Sequence, residues 1–377
     1  MTPETLANKL RGGEFIQGQD FKGMHFDGLD LRGGALRECD FSQASLRGAQ
    51  LTESAFDTCR FDGAAFDAAD LQRAAFQQCS LAGASLRGAA MIRAVFSDCD
   101  LRAADFAEAR AGLAAFHQSR LDAASFARAD LAKAVFGESN LADTRFDDTA
   151  LHTTVYYRAA LRGARFKGAS FHNVIFSEAD LAGQDFSAQS FQLCQFIDAD
   201  LRDCNFDRAR LGQCNFKGAK LERAVLTAVQ APQCLFPEAD LRRADARGGH
   251  FDQSLWIGAR LDDADLSDAR LEQCVFQRAQ CRRTSFARSH LVYADFSYAD
   301  LSDADLRDAH CQRTQTHRAI QAGTRWSDRS GVLDSDPALF EAERFSAARQ
   351  DRPQRADRDT FGRPLPPLPP TSEDLAP

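Results

Sequence analysis

The chain has 377 residues, of which 27% are charged, and its formal net charge is -8. There is no basic excess to neutralise phosphates, so the composition excludes the simplest electrostatic nucleic-acid binder. No uncharged run approaches the roughly 18 residues that a membrane span needs, and residues 1–13 lack the apolar core of a signal peptide. We therefore expect a soluble, cytoplasmic protein with no membrane partner and no direct nucleic-acid partner.

Residues 1–13 are predicted to form a short capping helix. Thr2 is a suitable N-cap, Pro3 suits the first turn, and Leu6 and Leu10 lie on one face. The pair Gly12 and Gly13 ends the pattern. Because an open end of a repeat protein exposes core and unpaired backbone groups, we expect this helix to plug the first coil.

From Ile16 to Cys311, every fifth residue is large and apolar in one uninterrupted frame. This central position is Leu, Phe, Ile, Met, Tyr or Trp in 55 of 60 consecutive pentapeptides, and 26 of the 30 phenylalanines occupy it. Two residues earlier, the side chain is small in 52 of the 60 units. A period of five fits neither a helix nor a strand, so the chain must turn once per unit.

A second period of 20 residues indicates that four units close one coil. Every twentieth residue from Phe56 to Phe296 is aromatic, whereas every twentieth residue from Leu81 to Leu261 is leucine. Such columns predict interior ladders of like side chains in stacked coils, since a solenoid coil buries its apolar residues only against its neighbours.

The units Ala69-Asp70-Leu71, Ala129-Asp130-Leu131 and Ala179-Asp180-Leu181 resemble those of the pentapeptide-repeat family. The resemblance covers residues 14–313 and implies an all-β solenoid, a right-handed quadrilateral β-helix of about 15 coils. At about 4.8 Å per coil, the rod would be on the order of 70 Å long. The fold alone does not fix a function.

No catalytic, cofactor or metal site is predicted. All 11 cysteines lie on inward frames without metal-ligand spacing, so we interpret them as small core residues in a reducing compartment. The outward pair His290 and His310 is interpreted as solvated surface. No phosphate loop or nucleophile triad appears, and the chain is therefore not expected to be an enzyme.

The weakest point of the rod is expected between Ala231 and Gly249. Pro232 and Pro237 should remove ladder donors, and Ala231 and Ala246 should leave the interior underfilled.

Residues 314–350 are predicted to form a C-terminal segment with a helix opening at Asp336-Pro337. Residues 351–377 are expected to be a disordered, Pro-rich tail that contains a polyproline II run.

One outward column is unusually apolar and is the candidate partner-binding stripe. It occupies the residue before each aromatic of one face and includes Val95, Val135, Val155, Ile175, Leu235, Leu255 and Val275. The functional interpretation is a contact strip for another protein, for a second copy in a homodimer, or for the C-terminal helix. The alternative is the β-propensity of Val and Ile on an exposed flat side.

Two function classes remain open. The first is a non-enzymatic interaction scaffold or adaptor, and overall similarity to pentapeptide-repeat proteins of type VI secretion loci implies an adaptor role there. The second is DNA mimicry, by which relatives of this family occupy the DNA groove of gyrase and other type II topoisomerases. An outward arginine column disfavours mimicry of phosphates; it comprises Arg102, Arg162, Arg202, Arg242 and Arg282.

Overall fold

The computed structural model describes the backbone of residues 1–350 and the side chains of residues 1–346. Within them the chain forms a parallel β-solenoid of about sixteen four-sided turns, which confirms the predicted fold class. The predicted disordered tail and its polyproline run, residues 351–377, lie outside the described residues.

The regular elements are two helices and fifteen short strands. In chain order they are α1 (Pro3–Arg11), β1 (Phe15–Gln17), β2 (Ala35–Arg37), β3 (Ala55–Asp57), β4 (Ala75–Gln77), β5 (Val95–Ser97), β6 (Ala115–His117), β7 (Val135–Gly137), β8 (Ala150–His152), β9 (Ser170–His172), β10 (Ser190–Gln192), β11 (Arg210–Gly212), β12 (Asp305–Leu306), β13 (Thr314–Gln315), β14 (Arg325–Trp326), β15 (Val332–Leu333) and α2 (Pro337–Gln350). Strands β1 to β7 form one parallel sheet and β8 to β11 another. Single-residue parallel bridges hold the remaining sides.

One unit, Cys39 to Gln43, shows why five residues make one side of the coil. The amide of Asp40, at the second position, donates to the previous coil, to the oxygen of Gln19 at 2.9 Å. The amides of Phe41 and Gln43, at the third and fifth positions, donate to the next coil at 2.7 and 2.9 Å. The amide of Ser42, at the fourth position, is left out of the ladder and donates to the Asp40 carboxylate at 2.8 Å.

The fifth position makes the corner. Every fifth residue from Gly13 to Gly323 has a positive φ, and most of these residues are not glycine. In the tight corners the amide of the next residue then closes a turn, as from Ala44 to the Phe41 oxygen at 2.9 Å. A positive φ at the third residue of such a turn is the type II geometry.

The third position points inward and forms the predicted ladders. Phe96, Phe116 and Phe136 stack with centroid separations of 5.1 and 4.8 Å and nearly parallel rings. Phe126, in the next but one column, meets Phe136 edge-on at 5.4 Å. Stacking within columns and edge contacts between columns fill the interior with dense aromatic packing.

One side of each coil up to β7 turns more widely than the others. This is the side that contains the strands, and the residue that follows its wide corner is Cys39, Cys59, Cys79 or Cys99, and then Ser119 and Ser139 in later coils. The four thiols donate to carbonyl oxygens two residues earlier at 3.3 to 3.4 Å. The wide side moves to the neighbouring face at β8, so the two larger sheets lie on different faces.

The predicted cause of a weakness at Pro232 and Pro237, the loss of ladder hydrogen bonds, is wrong. Both prolines occupy the fourth position, whose amide makes no ladder bond, and the ladder continues through both units. The interior is also filled, because the ring of Phe251 lies where a side chain at Gly249 would be. Trp256 further stacks on Phe236 at 4.1 Å.

The coil continues past residue 313, where the sequence placed its end. Strand β12 pairs with β14, and β13 pairs with β15 in a final turn that is two residues shorter than the others. Gly331 closes that turn against the Cys311 backbone, where a Cβ would lie 1.6 Å from the carbonyl oxygen. The predicted helix α1 begins at its N-cap Thr2 and buries Leu6 and Leu10 against the first coil.

Candidate functional site

The seven residues of the predicted stripe all point outward. Val95, Val135 and Leu235 are 40, 39 and 37% exposed, and the other four are half-buried between their neighbours. They lie in one unbroken column of the parallel ladder, in which each residue pairs with the residue 20 positions away. Phe15, at the N-terminal end of the same column, is 58% exposed.

The stripe is interrupted once, by two amides. Gln195 and Asn215 separate the wing Val135, Val155 and Ile175 from the wing Leu235, Leu255 and Val275. The Asn215 amide donates to the Gln195 side-chain oxygen at 3.1 Å, so the pair satisfies part of its own hydrogen bonding.

The columns on either side of the stripe carry only one charge over seven coils. We call this surface the neutral face; it consists of every twentieth residue from Thr153 to Gln273, from Val155 to Val275 and from Tyr157 to Gln277. Lys217 is the one charged residue among these 21. On the opposite side of the same coils, 14 of the 21 corresponding outward residues, every twentieth from Asp143, Arg145 and Asp147, are charged.

Along one edge of the neutral face the glutamines form an amide ladder. Gln213 donates to Gln233 at 3.1 Å, and Gln233 donates to Gln253 at 2.8 Å. The stacking of like amides therefore fixes this edge in one orientation without introducing charge. Sequence reasoning found the stripe but not the whole face, although the run of Gln, Asn, Thr and Ser at a spacing of 20 was the available signal.

The remaining faces carry ion pairs between and within coils. Each member of the predicted arginine column is paired with an aspartate: Arg102 with Asp100, Arg162 with Asp180, Arg202 with Asp200, Arg242 with Asp240 and Arg282 with Asp300. Similar pairs join corner residues 20 apart, as between Arg223 and Asp203 at 2.7 and 2.6 Å. Positive and negative groups are therefore neutralised side by side.

A shallow groove of about 320 Å³ lies among these ion pairs and is lined by Glu222, Arg223, Arg242, Arg243, Asp262, Asp263 and Arg283. Its arginines and carboxylates compensate one another, with Arg283 to Asp263 at 2.6 Å. Among the described residues, no three His, Cys, Asp or Glu side chains are grouped as metal ligands.

Ten of the 11 cysteines are buried and Cys311 is half-buried; all are free thiols. Burial raises the pKa of the Cys99 thiol to about 12, and the same cause raises that of Cys274 to about 12. A thiol with so high a pKa is a poor nucleophile at neutral pH. The outward His290 and His310 have ring centroids 6.0 Å apart.

Helix α2 lies at the C-terminal end of the rod. Glu343 accepts a hydrogen bond from the Tyr298 hydroxyl and contacts His317 and Arg318. These contacts tie the described part of the helix to the last two coils, whereas the stripe ends at Val275. Neither helix in the described residues is long and apolar enough to cross a membrane.

Two family models match the chain. The model of the pentapeptide repeat region matches residues 49–126 and 69–146. The eight-copy model of pentapeptide repeats matches residues 25–63, 157–188, 190–229, 239–278 and 274–310. No curated protein matches the chain.

Solved structures share the repeat at low similarity. Full-length QnrB1, a plasmid-mediated fluoroquinolone resistance protein, is 23% identical over 55% of this chain and 92% of its own, with a TM-score of 0.29. HetL, a pentapeptide repeat protein involved in heterocyst differentiation regulation in the cyanobacterium Nostoc, is 20% identical over 78% and 98%, with a TM-score of 0.15. Such scores carry no functional argument. The two family models, however, span more than half of the residues, and the chain belongs to the pentapeptide-repeat family.

Proposed function

We propose that this chain is a non-enzymatic protein-interaction scaffold whose contact surface is the neutral face. The observation that carries the proposal is the contrast between two sides of one rod, one with a single charge and an apolar stripe and the other densely charged. Desolvating an uncharged face costs little, whereas each buried charge must find a partner. The neutral face is therefore the side most suited to burial against a protein.

The chemistry of the other groups supports a non-catalytic role. Burial raises the pKa of thiols such as Cys99 and Cys274, and the surface groove is lined by residues of both signs that compensate one another. A catalytic site instead needs a nucleophile or a general base within reach of substrate. A binding rod requires none of these groups.

DNA mimicry is the alternative function, and the ion pairs count against it. A mimic of the phosphate backbone needs a continuous negative potential, and each arginine beside an aspartate cancels part of it. The pairs Arg202 with Asp200 and Arg242 with Asp240 lie near the middle of the rod. We therefore favour the scaffold.

The similarity to pentapeptide-repeat proteins of type VI secretion loci suggests which partners to test first. An adaptor for that machinery would hold one of its protein components against the neutral face. Components of a type VI secretion system are therefore included as candidate preys in the pull-down.

The proposal is tested by placing charge in the stripe. The triple variant Val135→Lys, Val155→Lys and Ile175→Lys should lose its protein partners in a pull-down from native cells. Its melting temperature should stay close to that of the unmodified chain, because these side chains do not fill the interior. The matched control is Ala142→Lys, Ala160→Lys and Ala182→Lys, which adds the same charge to half-buried positions on the adjacent face.

Retention of every partner by the stripe variant, or equal loss in the control, would contradict the proposal. A supercoiling assay with purified gyrase tests the alternative. Potent inhibition that is unaffected by the lysines in the stripe would favour DNA mimicry over the scaffold.

A further inference from the structure

We propose that the neutral face binds a second copy of this chain, so that two rods pair side by side and antiparallel about a two-fold axis between Gln195 and Asn215. This inference rests on the proposed function, since it names the partner of the same face. It leaves the charged sides of both rods free for other proteins.

The first argument is charge. Each copy carries a net charge of -8, so two copies repel unless they meet where charge is absent. A charged face cannot be complementary to itself when the same signs meet, whereas an uncharged face is complementary to an identical face. The neutral face is the side of the rod on which two identical chains avoid desolvating ion pairs; its one charge, Lys217, is exposed on the edge column.

The second argument is the order of residues along the stripe. From Val135 to Val275 the column consists of three apolar residues, two amides and three apolar residues. Antiparallel pairing about the centre of this column brings Ile175 of one copy to Leu235 of the other. It also brings the smaller Val155 to Leu255, and the amide Gln195 to the amide Asn215.

Antiparallel pairing keeps the separation between the two rods nearly constant along the contact, whereas parallel pairing does not. In parallel rods each residue faces its own copy, so valines meet valines in one wing and leucines meet leucines in the other. The gap between the rods would then widen along the contact. Pairing Val155 with Leu255 and Ile175 with Leu235 keeps the separation uniform over these inner rungs, as facing layers of large and small side chains do in well-packed cores, and the end rungs pair Val135 with Val275.

The third argument is area. The part of the stripe that this pairing matches onto itself, from Val135 to Val275, spans seven rungs, or roughly 34 Å at about 4.8 Å per rung, and the face is roughly 13 Å wide. Two copies would therefore bury roughly 900 Å², which is the size of a weak, reversible interface. The contact is isologous, so it closes after two copies and forms no filament.

The experiment uses the full chain and two single cysteine variants, Ile175→Cys and Leu235→Cys. In the antiparallel pair these two positions face each other across two packed sheets, so a thiol-specific crosslinker with a reach of about 10 Å should join the two chains in an equimolar mixture. Each variant alone should form no crosslink, because its own copy lies three rungs further along the partner rod, at roughly 17 Å, beyond the reach of the crosslinker. The unmodified chain is the control for the native cysteines, ten of which are buried.

Sedimentation of the unmodified chain at micromolar concentration should show a dimer. The lysine triple variant should be monomeric, and the control triple should remain dimeric. Crosslinking of each cysteine variant with itself would overturn the antiparallel arrangement. A monomer in sedimentation, with no crosslink in the mixture, would overturn pairing altogether.

Failure of this inference is distinguishable from failure of the proposed function. If the chain is monomeric and the stripe variant still loses its cellular partners, the scaffold stands and the second copy is wrong. If crosslinking proceeds as expected and the stripe variant keeps every cellular partner, pairing stands and the binding of other proteins by this face is wrong.

Discussion

At the scale of single residues, the amide at the fourth position of each pentapeptide is free of the ladder. Its carbonyl oxygen still accepts from the previous coil, as Pro237 does from Gly218 at 2.9 Å. Proline lacks only the N–H, and its fixed φ suits the second residue of a type II turn. The fourth position therefore tolerates proline in the middle of a ladder, where proline is normally excluded.

This geometry predicts that proline is tolerated at the fourth position of a pentapeptide and strongly destabilising two residues earlier, at the second. Val292 is at the fourth position in the column of Pro232, and its amide donates to none of the described residues. Val292→Pro should change the free energy of unfolding by less than about 1 kcal/mol. His290→Pro should cost about 3 kcal/mol or more, because the His290 amide donates to the Ala269 oxygen at 2.9 Å.

Urea unfolding followed by circular dichroism measures both changes. Equal destabilisation by the two prolines would show that the fourth position is restricted by something other than its amide. The unmodified chain and His290→Ala, which keeps the backbone donor, are the controls.

At the scale of elements, the short pair β12 and β14 is held by a carboxylate that bridges two coils. Asp305 accepts from Arg307 at 2.9 and 2.7 Å and lies 3.2 Å from Arg325. The hydrogen bonds from Arg307 lower the pKa of Asp305 to about 2. An aspartate whose pKa is lower in the folded state stabilises that state when it is ionised.

The lowered pKa predicts a stability that acid removes. The contribution of Asp305 should be fully present above about pH 4, its unfolded range, and should disappear as the pH falls to about 2. Asp305→Asn should therefore destabilise the last coils by roughly 2 kcal/mol at pH 7 and have little effect at pH 2.

Hydrogen exchange in β12 and β14 measures this difference. The control is Asp130→Asn, an exposed carboxylate in the middle of the rod whose amide replacement can still accept from Ala132. A pH-independent effect of Asp305→Asn would show that the ion pairs with Arg307 and Arg325 contribute nothing.

The sequence predicts most of these elements, because the five-residue frame alone places the inward residues and the corners. The sequence does not show which side of the coil ends in the wide corner, because a wide corner and a tight turn both follow the same inward Leu or Phe position. A hydroxyl or thiol often follows the bend, as in Cys99 and Ser119, but Val174 also follows a bend and Cys204 follows a tight turn. The final coil escapes prediction because Thr316 and Gln321 replace its Leu or Phe.

The candidate site, like the fold, is predicted by the five-residue frame only in part. The outward direction of Val135 and Ile175 is fixed by their place in the frame, and the structure confirms that direction. The extent of the neutral face depends on which columns become neighbours around a corner. Thr153 and Tyr157 lie two residues from Val155 in the chain, and the face emerges only when their columns are followed over several coils at a spacing of 20.

At the scale of the whole molecule, each coil of 20 residues is an interchangeable module. Every coil contacts mainly the coil before and after it, so stability is expected to be a sum over coils and their interfaces. Removing a whole coil leaves all columns aligned. Removing one pentapeptide rotates everything downstream by one side of the square.

We predict that deletion of residues 98–117 gives a folded rod shortened by about 4.8 Å, with Phe96 stacked on Phe136. Deletion of residues 98–102 should lower the melting temperature much more, because it places aromatic columns over aliphatic ones and divides the stripe between two faces. Small-angle scattering gives the length and circular dichroism gives the melting temperature. Equal stability of the two deletions would contradict the role of the columns.

The direction of the ladder bonds gives the rod an electrical polarity that its charges do not reveal. In each unit two amides donate toward later coils and one toward the preceding coil, as Phe41, Gln43 and Asp40 do. One peptide dipole of about 3.5 D per pentapeptide therefore remains uncompensated along the axis. The last coil presents an excess of N–H groups and the first an excess of carbonyl oxygens. Two parallel rods in contact would add these dipoles at a cost in energy, whereas two antiparallel rods cancel them.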